Sequence, residues 1–560
     1  MMKRTTSWPL PARIALLALA VVAVVGAMAC SSDSDAPANQ ELRMRIDSDV
    51  STFDPQLASS AAEISVAKQL YRGLFTYNDD LEVVPSIATE LPTEANGGVS
   101  SDGLTYTIKL RDDVTWSDGA SLTANDFVYA FQRLFDPEAG AQGYYTAYYT
   151  AIEGAEAASM GEGSTSEIGV TASDDQTLVL KLDHAQPTMV TLLALWPASP
   201  LRQDVIDEHG ASWTDAGTLV SNGPFVLTSY EPGVEIGLAA NTNYWASDGP
   251  ELNALTYRVI PDADAALLAY QNNEIDMTSI PLESAELYMG HPDQERFGQL
   301  ETMALQYNVT KAPFDNPQVR QAFSRAIDRD TYVATLLSGI GVPALGWLPP
   351  GTPAVVADFG TEYAFDENAA AELLADAGFA DGEGFPTVTL TIPDVDAYQT
   401  VAQFVQEQLR QNLGVELEIE SLESNTYGER WGAGEFELTL FDFFADYNDP
   451  ENWLPQQFAS DGSYNVTAYS NPEVDELLSQ AGTELNYEIR IQLYEDAHKL
   501  IIDDQALTPI YHPERNYLVK GQVDGLELTP LDAEPGDWFI EEVRIISVDD
   551  SAPPASNPDE

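Results

Sequence analysis

Residues 397–420 read AYQTVAQFVQEQLRQNLGVELEIE and combine two hydrophobic periods around one glycine. From Ala397 to Leu413 the apolar residues recur at helical spacing, which predicts an amphipathic helix. Gly414 follows in the position where helices commonly end. Residues 415–420 then alternate apolar and acidic side chains, which is typical of a strand. A helix, a glycine and a strand in this order indicate an α/β unit.

Similar signals occur in both directions from this unit. Residues 103–111 and 176–182 alternate polar and apolar side chains and are predicted strands. The run Thr123–Asp126 carries a capping pair that predicts the start of a helix. Asp366 is expected to cap a helix that ends before Gly378. The pattern therefore favours a mixed α/β fold, and a chain of 560 residues should divide into two or three domains.

The N-terminus has the order of a secretory signal. Basic residues precede an apolar run at 14–29, and the single cysteine of the chain, Cys30, comes directly after it. The junction resembles a bacterial lipobox, so residues 1–29 are predicted to be a lipoprotein signal peptide and Cys30 the lipidated residue. A polar tether at 30–40 and a disordered tail at 549–560 are also expected. The alternatives are a buried structural cysteine or an uncleaved anchor.

The charge is strongly negative, with 90 acidic and 25 basic residues and a formal net charge of −65. Nucleic acid is therefore an unsuitable partner, because binding it requires a basic face. Cationic or zwitterionic solutes fit better, although a heavily solvated acidic surface explains most of the excess.

Motifs of catalysis are missing from the sequence. It contains no Gly-Lys dipeptide for a phosphate-binding loop, no Gly-x-Ser-x-Gly elbow and no His-Glu-x-x-His zinc motif. Its five histidines have no ligand spacing. We therefore expect a protein that is not an enzyme and that carries no cofactor and no metal.

One segment differs from this background. Residues 441–450, FDFFADYNDP, follow the strand-like run 436–440 and place Asp446 among aromatic residues. An acid in an apolar wall needs a positive partner, because an unpaired buried carboxylate is costly. Basic residues are scarce in this chain, which favours a ligand cation. The alternatives are a structural acid bonded to backbone amides, and a calcium site formed with Asp442 and Asp449, for which the usual loop glycine is missing.

Nine motifs in order along the mature chain resemble the oligopeptide-binding branch of the family 5 solute-binding proteins of bacterial ABC importers. They are Thr52–Pro55, Leu70–Phe75, Trp116–Gly119 with Asp126–Tyr129, Asn222–Phe225, Glu274–Asp276, Val319–Arg320 with Ala326–Arg329, Leu373–Gly378, Ala445–Pro450 and Tyr469–Asp475.

This resemblance implies an α/β fold like that of type II periplasmic binding proteins, with two main lobes around a hinge and an extra inserted lobe. Lobe I would be discontinuous, lobe II inserted into it, and lobe III continuous. Their predicted bounds are 41–71, 203–305 and 516–548 for lobe I, 72–202 for lobe II and 306–515 for lobe III. Closure of the lobes around a hinge would bury the solute.

The resemblance also implies the binding residues. Asp446 matches the aspartate that pairs with the α-ammonium of the peptide. The main chain of the peptide would lie between two extended segments, one with Asp442, Phe443 and Phe444 and the other with Ser59, Ser60 and Ala61. Tyr144, or its neighbour Tyr145, would line a side-chain pocket. Leu440 stands where some members have an arginine that faces the peptide carboxylate, so the resemblance does not imply a particular peptide length.

The implied function is a monomeric, extracytoplasmic, lipid-anchored binding protein. It would capture oligopeptides and deliver them to the permease and ATPase of an importer. The protein would be attached to the membrane through the lipidated Cys30. The alternatives are a different solute of the same family (a murein peptide, a glycan, a metal chelate or haem), a receptor or chaperone-like lipoprotein without transport, and an extracellular hydrolase.

Overall fold

The computed structural model describes residues 40–139, 141–246, 249–356 and 359–547. The predicted signal peptide, Cys30, the tether up to residue 39 and the tail at 549–560 lie outside the described residues.

The described chain alternates strands and helices, as expected for a mixed α/β protein. The strands are β1 Glu41–Ile46, β2 Phe75–Tyr77, β3 Val83–Pro85, β4 Thr105–Lys109, β5 Val170–Asp174, β6 Thr177–Lys181, β7 Phe225–Glu231, β8 Glu235–Ala240, β9 Ala254–Val259, β10 Met277–Ser279, β11 Gln294–Gly298, β12 Glu301–Tyr307, β13 Val342–Pro343, β14 Val388–Pro393, β15 Leu417–Leu422, β16 Leu438–Phe444, β17 Leu507–His512, β18 Glu514–Val519, β19 Val523–Asp524 and β20 Arg544–Ile545. The α-helices are α1 Ala61–Leu70, α2 Ala124–Leu134, α3 Ala155–Ser159, α4 Met189–Leu192, α5 Gln203–His209, α6 Ala263–Gln271, α7 Pro317–Arg325, α8 Arg329–Leu336, α9 Glu367–Asp376, α10 Asp396–Leu413, α11 Ser424–Gly432, α12 Pro455–Phe458, α13 Pro472–Ala481 and α14 Tyr487–Asp503.

The elements predicted from local patterns form where they were expected. The helix α10 ends at Gly414, whose φ of 68° is left-handed, and β15 follows it. Asp366 caps α9 by accepting hydrogen bonds from two backbone amides. A capping box of Thr123 and Asp126 opens α2. The strands predicted at 103–111 and 176–182 are β4 and β6, which pair antiparallel.

The largest sheet has six strands in the order β13-β17-β12-β16-β14-β15. It is mixed, because β12 runs antiparallel to β16 and β17, whereas β14 runs parallel to β15 and β16. One face packs against α10, whose apolar stripe is buried, apart from the half-buried Phe404, in the same core as the strand residues Leu438 and Leu440. This packing explains the helical spacing of the apolar residues in α10.

The strands of the smaller sheets can be compared with the ranges predicted for the lobes. The four-stranded sheet β1-β9-β8-β7 and the three-stranded sheet β10-β18-β11 draw on the ranges predicted for lobe I, except that β18 begins two residues before 516. The sheets β2-β3 and β4-β6-β5 lie within the range predicted for lobe II. The lobe bounds and the hinge themselves stay predictions. Within the described ranges, no helix has the length and apolar content needed to span a bilayer.

Candidate functional site

A cavity of about 600 Å³ lies beside β16 and collects most of the predicted binding residues. Its lining includes six of the eight: Ser59, Ala61, Asp442, Phe443, Phe444 and Asp446. Residues 59–61 and 442–446 are nearly 400 positions apart in the sequence, so only the tertiary fold brings them to one cavity.

Asp446 follows the end of β16 and is held by two tyrosines. Its Oδ1 accepts a hydrogen bond of 3.0 Å from the Tyr145 hydroxyl, and its Oδ2 accepts one of 2.5 Å from the Tyr148 hydroxyl. The backbone N–H of Asp446 donates to Asn452, whose side chain also donates to the Tyr148 hydroxyl. The carboxylate is thus oriented by hydroxyl groups and not by the backbone amides of the structural alternative.

The charge of Asp446 has no direct counterion among the described residues, since no Lys, Arg or His nitrogen lies within 4 Å of its carboxylate. Burial raises the pKa of Asp446 above its usual value, although the hydrogen bonds from Tyr148 and Tyr145 and the more distant charge of Lys68 oppose this effect. Lys68 itself is paired with Asp537, at 3.0 Å between Nζ and Oδ1. The site therefore presents a half-buried carboxylate with which no described lysine, arginine or histidine is in contact.

The strand β16 has an open edge next to this carboxylate. Along its whole length it pairs with β12, but β14 pairs only with Leu438 and Thr439. The carbonyl of Leu440 accepts a 2.6 Å hydrogen bond from the Tyr427 hydroxyl and so points away from β12. Because main-chain groups alternate in direction along a strand, those of Asp442 and Phe444 point to the same open edge. This edge offers backbone donors and acceptors to an added strand.

The side chains of β16 face opposite ways. Phe443 packs edge-on against Trp453, with ring centroids 4.9 Å apart, and Phe441 stacks on Trp431 at the same distance. Phe443 therefore belongs partly to an aromatic core as well as to the cavity wall. Phe444 lies on the opposite face of the strand, together with Asp442.

Asp442 is bonded within the protein. It accepts a short hydrogen bond from the Tyr398 hydroxyl, and Glu301, which lies opposite Phe444 on β12, interacts with it across the strands. Burial, together with the nearby charge of Asp442, raises the pKa of Glu301 to about 8. Glu301 thus holds a proton at neutral pH and limits the repulsion between the two groups.

The opposing segment departs from the expectation in one respect. It is extended only up to Ser60, because a capping box of Ser60 and Glu63 starts α1 at Ala61. The Glu63 carboxylate accepts hydrogen bonds from the N–H groups of Ser59 and Ser60. These two N–H groups are therefore not available to a peptide. The description of Ala61 as part of an extended segment was wrong, and Ser60 serves as a helix cap.

Tyr144 begins the 3-10 helix Tyr144–Tyr149, but its side chain lies outside the described residues. Its neighbour Tyr145, the other candidate, lines the cavity and contacts Asp446. Asp449, the third acid of the calcium alternative, instead pairs with Arg490 through both oxygens, at 2.8 and 2.6 Å. Over the described ranges, no cluster of three potential metal-ligating side chains occurs.

Several cavity residues were missed by the sequence reasoning. They include Lys68, Trp196, Glu301, Trp431 and Arg515. Lys68 lies two turns after Ala61 on α1, and a lysine on the helix that begins at a predicted site residue was a usable signal. The other four stand in unremarkable local sequence, and only the fold places them at the cavity.

Comparisons with known proteins agree with this architecture. The family model of the bacterial extracellular solute-binding proteins, family 5 middle, matches residues 82–465. The chain is 30% identical over 491 residues to the oligopeptide-binding protein OppA of Bacillus subtilis, covering 85% of this chain and 88% of the relative. It is 31% identical over 497 residues to the periplasmic murein peptide-binding protein MppA of Escherichia coli, covering 87% and 90%.

A solved structure of the Escherichia coli murein tripeptide binding protein MppA matches the fold with a TM-score of 0.75. The two share 29% sequence identity, and the match covers 91% of this chain and 99% of that one. The chain therefore belongs to the bacterial extracellular solute-binding proteins of family 5, which bind solutes and are not enzymes.

Proposed function

We propose that this chain is the lipid-anchored substrate-binding component of an ABC importer and that its ligands are oligopeptides. The observation that carries the proposal is the Asp446 carboxylate, which two tyrosine hydroxyls hold at the cavity wall with no cation from the described residues in contact. The α-ammonium group of a peptide is a cation that could enter the cavity and pair with it.

The energetics favour such a ligand. A buried carboxylate without a counterion is costly, and an ammonium group that donates to it restores the lost electrostatic interaction. The tyrosine hydroxyls keep the carboxylate in a single orientation, so little ordering is needed when the ligand arrives.

Main-chain pairing would supply affinity without reading the peptide sequence. The open edge of β16 from Leu440 to Phe444 has the main-chain groups of Asp442 and Phe444 directed outward. A peptide that lies along it would add a strand to the six-stranded sheet. On the other side, the amides of Ser59 and Ser60 are occupied, so we infer that this segment contributes the Ser59 carbonyl and the Ala61 N–H.

The relatives support the ligand class, because those compared above are named for binding oligopeptides or murein peptide. Lipidation of Cys30 and delivery to a membrane permease are the further parts of the proposal. They rest on the N-terminal sequence pattern and on the family.

Calorimetry with an unmodified alanine tetrapeptide and its N-acetylated counterpart tests the function. The free peptide should bind, and acetylation should weaken binding by at least ~2 kcal/mol, or about 30-fold, because it removes the charge that meets Asp446. Equal affinities would contradict the ammonium contact alone. Failure of both, and of a mixture of free peptides of three to six residues, would contradict peptide binding itself.

A further inference from the structure

Arg515 lies in the wall of the cavity that contains Asp446. It is the second residue of β18 and stands opposite Phe297 of β11, so the strand pairing fixes its backbone. Its side chain is half-buried. The cavity wall thus carries an arginine in addition to the predicted acid.

The guanidinium of Arg515 makes no hydrogen bond and no ion pair within 4 Å to any residue that the structure describes. Two other arginines on strands are committed within the protein: Arg296 on the adjacent strand β11 pairs with Glu514, and Arg45 on β1 of the four-stranded sheet donates to two carbonyls and a serine. The other cation of the cavity wall, Lys68, is paired with Asp537 and lies 3.7 Å above the Trp538 ring. Among the described lining residues, Arg515 is therefore the cation left for a ligand.

Three acids act on Arg515 only at longer range, namely Glu301, Glu534 and Asp47. Burial, together with the charge of Asp442, raises the pKa of Glu301 to about 8, and burial likewise raises that of Glu534 to about 8. At neutral pH both glutamates are mostly protonated, so they neutralise little of the charge on Arg515.

We propose that Arg515 binds a carboxylate group of the peptide whose α-ammonium group pairs with Asp446. The planar guanidinium presents donors in a fork that matches a carboxylate, and a half-buried site strengthens such a pair. The family position at which some members carry an arginine for this purpose is the fully buried Leu440. In this chain the contact with the peptide carboxylate would come from Arg515 on β18, which belongs to a different sheet from Leu440. The proposal rests on the proposed function.

The carboxylate has two possible sources, the peptide C-terminus and an acidic side chain. Calorimetry with alanine tetrapeptides separates them. One pair compares the free C-terminus with its amide, and four further pairs compare Glu with Gln at each position of the amidated peptide. The proteins are the wild type, Arg515→Gln and Arg515→Lys. The control is Arg410→Gln, which removes an exposed arginine on α10 whose ion pair is with Glu407.

In at least one pair, the wild type should bind the carboxylate form about 10-fold or more tightly, which corresponds to ~1.4 kcal/mol. Arg515→Gln should reduce that ratio to within about twofold and leave the neutral peptide nearly unaffected, whereas Arg515→Lys should keep part of the preference and Arg410→Gln all of it. The pair that shows the preference identifies the source.

Two results would overturn the inference while leaving peptide binding intact. One is that the wild type binds the charged and the neutral peptide of each of the five pairs with nearly equal affinity. The other is an Arg515→Gln variant that weakens the charged and neutral peptides equally, as expected if Arg515 only offsets the nearby glutamates. Absence of binding by every peptide would instead overturn the proposed function, and this inference with it.

Discussion

The Tyr148 hydroxyl donates a 2.5 Å hydrogen bond to Oδ2 of Asp446, which lies 298 positions further along the chain. The contact joins the short helix Tyr144–Tyr149 to the end of β16. It orients the carboxylate at the cavity wall. The charge of the site and its geometry therefore come from different parts of the chain, which can be tested separately.

The charge of Asp446 is tested by Asp446→Ala and Asp446→Asn. The alanine variant leaves the ammonium group of the ligand unpaired, so its peptide affinity should fall by at least ~2–5 kcal/mol. The asparagine variant keeps the shape and an acceptor and should recover only part of the loss. The melting temperature of the unliganded protein should be unchanged or slightly higher, because the empty site no longer buries an unpaired charge.

Asp449→Asn is the matched contrast, three residues away. It breaks the buried pair with Arg490, so it should lower the melting temperature by an amount corresponding to ~3–5 kcal/mol and change affinity only indirectly. If Asp446→Ala behaved like this contrast, with reduced stability and nearly normal peptide binding, Asp446 would be a scaffold residue.

The geometry is tested by Tyr148→Phe. Removing this hydroxyl deletes a charge-assisted hydrogen bond, which should lower stability by about 1.5–3 kcal/mol. It also leaves Asp446 less firmly oriented, so affinity for a free peptide should fall by part of that amount. Tyr149→Phe is the control, because the Tyr149 hydroxyl donates to the carbonyl of Leu192 and not to Asp446. Calorimetry should find that the control binds normally; equal losses in both variants would exclude a specific role for Tyr148.

Glu301 predicts a pH dependence of stability. Its pKa is raised to about 8 in the folded protein, so the folded state keeps a proton that the unfolded chain releases near its ordinary pKa of about 4.3. The free energy of unfolding that depends on Glu301 should therefore be highest below about pH 4 and fall as the pH rises towards 8.

Glu301→Gln should flatten this decline, since the amide does not titrate. Thermal melting of both unliganded proteins between pH 5 and 8.5 measures the slopes, and each unit of pKa shift corresponds to about 1.4 kcal/mol. Parallel curves would show that Glu301 titrates normally in the folded state.

Cys30→Ser should release the protein from the membrane fraction and leave peptide affinity unchanged. The predicted lipid attachment needs the thiol, and Cys30 is the first residue of the polar tether, which precedes every predicted peptide-binding residue. Cell fractionation followed by calorimetry on the released protein measures both. Retention of the variant in the membrane fraction would mean that the apolar run at 14–29 is itself the anchor.

Local sequence determined the elements and the identity of one charged group. The helix over residues 397–413, its glycine stop, the caps at Asp366 and Thr123 and the paired strands β4 and β6 all depend on interactions within a few residues, so their patterns were readable. The apolar setting of Asp446 likewise identified it as an acid in need of a partner.

Only the tertiary structure decided what surrounds that acid. Tyr148, the open edge of β16, Glu301 and Arg515 come from distant segments, and no local pattern marks them. Tyr145 was named only as the neighbour of Tyr144, and its hydrogen bond to Asp446 follows from the fold. Capping and periodicity are set by hydrogen bonds over three or four residues. The cavity, by contrast, is set by strand register and packing between segments hundreds of residues apart, which the local sequence does not encode in a readable form.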